Sequence, residues 1–166
     1  MKSLMKACVL SMAMLVLMCG IAGAADFNAQ GSAIVPHMRS CMTYNPTNST
    51  STGMYLSNIT DKNINCKISV YDQNGNDISS YGYVMTVIPN STGYQYVASG
   101  SQAFDIAAHS SCYFKYSGTF NARTFGYAVV KWNSSDALMT KALVGAVEYS
   151  SEMSGGNVYI NNGHPF

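Results

Sequence analysis

The chain has 166 residues, nine basic and eight acidic, and a formal charge of +1. Only 10% of it is charged and 48% is hydrophobic. That length suggests one domain after any leader is removed. The absence of a basic stripe excludes the electrostatic footprint of a nucleic-acid binder.

The first residues read as a cleaved secretory signal. Lys2 and Lys6 precede the apolar run Ala7 to Ile21, and small residues follow at Ala22 to Ala25. The apolar run is shorter than the roughly 20 residues that span a bilayer. Cleavage is expected after Ala24, with Ala25 as the alternative, leaving 25–166 as a single domain. Cys19 does not make a lipoprotein site, because Met18 is bulky where a small residue is needed. No later segment is apolar enough to cross a membrane. Without Lys2 and Lys6 the chain carries seven basic and eight acidic residues, a formal charge of −1.

The rest of the chain alternates apolar and polar residues in short runs, the pattern of half-buried strands. "GSAIVPH" (Gly31 to His37) reads as a strand stopped by Pro36. Arg39 to Gly53 is polar and reads as a long loop. "MYLSNIT" (Met54 to Thr60) and "NCKISVYD" (Asn65 to Asp72) follow as strands, and Cys66, Ile68 and Val70 share one face of the second.

At Asp72 the letters "DQNGND" raise the question of a calcium loop. Asn74 and Asn76 stand at the third and fifth positions of such a loop. However, Asp77 stands where the glycine belongs and Tyr83 where the bidentate glutamate belongs. Asn74-Gly75 between two strand-like runs is instead a hairpin signal, with both central residues expected at positive φ.

Further strands are expected at Tyr81 to Ile88, Tyr94 to Ser99, Ala103 to Ala107 and Cys112 to Gly118. Phe125 to Trp132 is the most strongly β-forming run. Residues 135–150 fit either a helix capped by Ser135 or a strand at Ala142 to Tyr149. The strand is preferred because every other element is β. A last strand is expected at Val158 to Asn161.

These elements predict an all-β fold, an antiparallel immunoglobulin-like β-sandwich. "IVPH", "MYLSNIT", "CKISVYDQNGNDI" (Cys66 to Ile78) and "FGYAVVKW" (Phe125 to Trp132) together resemble a loose group of secreted bacterial β-sandwich domains. The plan is similar to the immunoglobulin-like sandwich of the sensory rhodopsin transducer family. The likeness spans most of Ile34 to Tyr149. It implies fold and export, and no shared activity. The loop from Arg39 to Gly53 and the cysteines depart from it.

Three cysteines follow the leader. Cys66 and Cys112 alternate with core-type residues and are expected to bond, since export meets oxidising conditions. Cys41 is then spare, available to join two chains, or it is the alternative partner of either. His37, His109 and His164 lack metal-ligand spacing. No G-x-S-x-G occurs. Cys41 with His109 is a nucleophile pair only on paper, and Glu148 and Glu152 are the only glutamates. No catalytic, metal or cofactor residue is therefore assigned. Sequons at Asn48, Asn58, Asn90 and Asn133 matter only in a glycosylating host.

Tyrosine is abundant, with twelve in the chain. Tyr81, Tyr83, Tyr94, Tyr96, Tyr113, Tyr116 and Tyr127 fall on or beside strands. Tyr81, Tyr83, Tyr94 and Tyr96 are the candidate binding surface. The expected function is an exported non-catalytic binding or assembly module, secreted, periplasmic or on the cell surface. A subunit of an extracellular oligomer or filament, joined by strand edges or a disulfide, is the alternative. A carbohydrate-binding module using surface tyrosines is the third. The partner is a protein or a glycan.

Overall fold

The computed structural model describes residues 27–41, 49–118, 123–151 and 154–166. The expected leader and its cleavage site, Cys19, Asn48 and Glu152 lie outside the described residues. The elements are β1 (Gly31–Cys41), β2 (Thr50–Asn58), β3 (Ile64–Asp72), β4 (Gly82–Val87), β5 (Tyr94–Ser99), β6 (Ala103–Ile106), β7 (Ser111–Tyr116), β8 (Arg123–Ser134), β9 (Leu143–Ser151) and β10 (Ser154–Tyr159). Short 3-10 turns occupy Ser79–Tyr81 and Ile160–Gly163.

Every strand pair is antiparallel. β2 organises the sheet. One side pairs β9 from Thr50 to Asn58. Its other side pairs β7 from Thr52 to Ser57 and meets β1 only at Thr50, opposite Cys41. One ladder therefore runs β5-β4-β7-β2-β9-β10, and the other runs β1-β8-β3-β6. The Thr52 hydroxyl extends the seam between β1 and β2. It receives the Arg39 N–H at 3.0 Å and donates to the Arg39 carbonyl at 2.8 Å.

The far ends of the order, β5 and β6, are separated only by the turn at 100–102. The sheet is thus nearly closed as a barrel. The all-β antiparallel class is as expected. An immunoglobulin-like sandwich is not clearly reproduced, because one hydrogen-bonded path passes through both ladders at the β1–β2 corner.

The core lies between the ladders. β2 contributes Met54 and Leu56, β7 contributes Phe114 and Tyr116, and β8 contributes Val130 and Trp132. β3 contributes Cys66, Ile68 and Val70, the face expected from alternation.

Three expectations change. β1 does not stop at Pro36. It bulges between Val35 and Met38 and pairs with β8 down to Cys41. Within the bulge Pro36 need not donate to the ladder, so its missing N–H costs no rung. The polar stretch accordingly yields Arg39 to Cys41 to β1 and Thr50 to Gly53 to β2. Cys41 is not a spare surface thiol, since it is only 8% exposed at the end of β1. Cys41, Cys66 and Cys112 carry free thiols in this structure.

The Asp72 corner turns as expected, by a different geometry. Only Gly75 has positive φ, at 82°, and its N–H bonds to the Asp72 carbonyl at 3.1 Å. The Asp72 N–H reaches the Asn76 carbonyl at 3.0 Å. This is a three-residue loop with a left-handed last residue, not a two-residue loop. The returning arm makes a single bridge, Asp77 to Tyr71.

Candidate binding face

The catalytic alternatives separate in space. Cys41 pairs with Thr50 at one end of β2, and the His109 N–H bonds to the Thr60 carbonyl beyond the other end. A nine-residue strand at about 3.3 Å per residue holds that thiol and imidazole roughly 26 Å apart. His37 lies edge-on to Tyr149, with centroids 5.5 Å apart. Among the described residues no group of three His, Cys, Asp or Glu converges on a metal position.

The Asp72 carboxylate is saturated by its own loop. Oδ1 accepts the Asn74 and Asn76 N–H groups at 2.8 and 2.9 Å, and Oδ2 accepts the Asn76 amide at 2.9 Å. The Asn76 side-chain amide, with the loop N–H groups behind it, holds this carboxyl below its ordinary value. The carboxylate serves the shape of the corner.

What the fold does assemble is a row of aromatic side chains. In an antiparallel ladder, directly opposed residues share a face. On β2, Met54 and Leu56 point inward, so Tyr55 points out. Tyr55 opposes Tyr113 of β7 and Ala146 of β9. Tyr113 opposes Met85 of β4, which opposes Tyr96 of β5. Ala146 opposes Tyr159 of β10. The outer face therefore carries Tyr96, Met85, Tyr113, Tyr55, Ala146 and Tyr159 in line across six strands. At about 4.8 Å per strand, the row is roughly 24 Å long.

Two of its rings touch, and a third from β5 lies beside them. Tyr55 and Tyr113 are 4.6 Å apart between centroids, and Tyr94 lies 6.3 Å from Tyr113. The Tyr113 ring lies flat over Gly53, where any side chain would collide with it. Glycine at 53 is thus what lets the ring rest on the sheet.

Polar groups edge the row. The Tyr55 hydroxyl donates to Glu148 Oε2 at 3.2 Å. Ser57 and Ser111 share a hydrogen bond of 2.7 Å. Burial, reinforced by the nearby Glu148 charge, pushes the Tyr113 hydroxyl up to about 12. Burial first and Glu148 second also raise Tyr55.

A groove of about 540 Å³ opens at the β9–β10 end of the row. Tyr55 and Tyr159 form its walls, and Val144, Gly145 and Ala146 lie between them. Asn162 and Gly163 close one side.

Of the four tyrosines expected from sequence, Tyr83, Tyr94 and Tyr96 lie on this outer face. Tyr81 sits apart in the 3-10 turn before β4. Tyr116 points into the core, with its hydroxyl 2.7 Å from Thr124 Oγ1. Tyr127 stacks on Tyr71 in the other ladder, 5.2 Å away. Tyr55 and Tyr159 were missed by the sequence reading. The Met54-Tyr55-Leu56 alternation carried a signal for Tyr55. Tyr159 fell within the expected last strand, but its place in the row depends on the pairing of β10 with β9.

No family model and no curated protein matches this chain. The crystal structure of Thermotoga maritima 1070 superposes with a TM-score of 0.46 at 7% identity. The overlap covers 81% of this chain and 95% of that one. A similarity of that size carries no argument about fold or activity.

Proposed function

We propose that the protein is an exported, non-catalytic binding or assembly module that engages its partner through the outer face of β5-β4-β7-β2-β9-β10. In this reading the two ladders act as the layers of an immunoglobulin-like sandwich, displayed at the cell envelope or outside the cell. The observation that carries it is the transverse row of Tyr96, Met85, Tyr113, Tyr55, Ala146 and Tyr159. Monomeric proteins rarely leave large contiguous apolar patches in water, and those they leave mark interaction sites. Tyrosine suits such a face because it offers ring area and a hydroxyl at low entropic cost.

The Asp72 carboxylate is taken up by its own loop, which leaves the tyrosine row as the feature the reading rests on. The test is retention of the purified protein on envelope fragments and secreted polymer of the producing cell. Replacing Tyr55 and Tyr113 by serine together should abolish retention. Equal retention of the double variant would refute the reading.

A second reading, assembly by strand addition, is favoured by one observation. Among the described residues β10 pairs with β9 alone, which leaves its other edge without a strand partner there. Concentration-dependent oligomers that disappear when β10 carries a proline would support it.

A further inference from the structure

We propose that the groove between Tyr55 and Tyr159 is a subsite for one ring of a neutral hexose oligosaccharide, with the rest of the tyrosine row carrying the neighbouring rings. This rests on the binding-face reading and gives it a ligand chemistry.

The spacing comes from the sheet. Tyr55 on β2 and Tyr159 on β10 flank Ala146 on β9. Two strand intervals of about 4.8 Å place their backbones roughly 10 Å apart. A contact of about 3.5–4 Å on each side leaves space for a slab one ring thick. The small Ala146 between them leaves the space above the sheet open. A pyranose meets these demands: its C–H faces pack on aromatic rings and its rim is all hydroxyl.

The charge pattern selects the class. No charged residue lines the groove. Outside it on the same face, Glu148 accepts the Tyr55 hydroxyl and Lys115 shares its rung across Gly53, so the two charges offset and an anionic ligand gains no net attraction. Ser57 and Asn162 supply donors and acceptors at the rim.

The wall is also built in advance of any ligand. Asn161, Asn162 and Gly163 have φ of 50°, 53° and 78°. Left-handed backbone is uncommon outside glycine, and asparagine tolerates it best. The segment is pinned on both sides. Ile160 is buried, and Phe166 exchanges backbone hydrogen bonds with Leu143 at 2.9 and 3.0 Å. Pre-ordering the wall removes an entropic cost from binding.

The experiment is calorimetric titration of the protein with hexasaccharides of glucose, mannose and N-acetylglucosamine, and with polygalacturonate as the anionic control. At least one neutral hexasaccharide should bind saturably. Tyr159 is 73% exposed, so Tyr159→Ala keeps the fold. It should weaken binding about tenfold, the loss of one ring contact. Tyr127→Ala, on the other ladder, should leave binding unchanged, and polygalacturonate should not bind. No saturable neutral sugar, a Tyr159→Ala variant that binds as well as the parent, or equal binding of polygalacturonate would each overturn the inference. Retention on envelope fragments, measured in parallel, separates the two claims. Retention lost on replacing Tyr55 and Tyr113, with no sugar bound, sinks only the carbohydrate assignment. Retention indifferent to those tyrosines sinks the binding face as well.

Discussion

Asn58 shows how much one side chain fixes. It is buried, and its amide serves the carbonyls of Lys62, Ile106 and Ala107 at 2.7, 3.1 and 3.0 Å. Its oxygen accepts the Thr60 N–H and hydroxyl at 3.0 and 2.8 Å. As a sequon Asn58 matters only in a glycosylating host; folded, its amide is committed to this network. Asn58→Ala would strand several buried groups and should cost about 3 kcal/mol in chemical denaturation. A loss under about 1 kcal/mol would mean the network is dispensable. Tyr113 offers a second residue-scale test. Its folded value, about 12, lies above the ordinary 10.0, so folding favours the neutral phenol. Stability from this group is intact below about pH 10 and is lost as the pH rises towards about 12. Phenolate absorbance should show a late-titrating tyrosine that disappears in Tyr113→Phe. The thiols belong here too. Burial pushes Cys112 up to about 12, and Cys66 is raised by burial first and by the nearby Cys112 second. Neither should react with a thiol reagent until the protein unfolds. In an oxidising compartment the pair should join, closing a loop of about 45 residues and adding about 4 kcal/mol in the chain-entropy model. Non-reducing peptide mapping of secreted material that shows only free Cys66 and Cys112 would refute the pairing.

At the scale of the element, the strands were legible where alternation was clean and illegible where sequence punctuation misled. Cys66, Ile68 and Val70 announced their face. Pro36 looked like a stop because proline cannot donate to a ladder, but a bulge provides a place where no donation is needed. Arg39 to Cys41 then looked like loop, although β8 pairs with them. Residues 135–150 carried helical and strand patterns together. The pairing of β9 with both β2 and β10 makes a strand of Leu143–Ser151, while 135–142 form a turn, a decision made by distant partners that local periodicity cannot reveal. At Gly126 two strands approach closely. A methyl group there would overlap the Tyr71 carbonyl across the β3–β8 ladder. Gly126→Ala should therefore destabilise by about 3 kcal/mol or more, or prevent soluble expression. A variant as stable as the parent would show that the two strands lie further apart than described.

For the molecule as a whole, composition and alternation were enough for an all-β antiparallel class, but not for its closure. Whether the strands form separate sheets or a nearly closed barrel turns on one pair, Cys41 with Thr50, and on the short turn between β5 and β6. Such contacts leave no local signature. The candidate site was half legible for the same reason. Tyr94 and Tyr96 advertise themselves within one strand, whereas the line from Tyr96 to Tyr159 exists only once six strands are laid side by side. Backbone amide chemical shifts, recorded as envelope polymer from the producing cell is titrated in, test that line most directly. Perturbations should fall on β2, β7, β9 and β10 around Tyr55, Tyr113, Ala146 and Tyr159, with β3 and β8 unmoved. Shifts confined to β3 and β8, or none at saturating polymer, would contradict the assignment of this face as the binding surface.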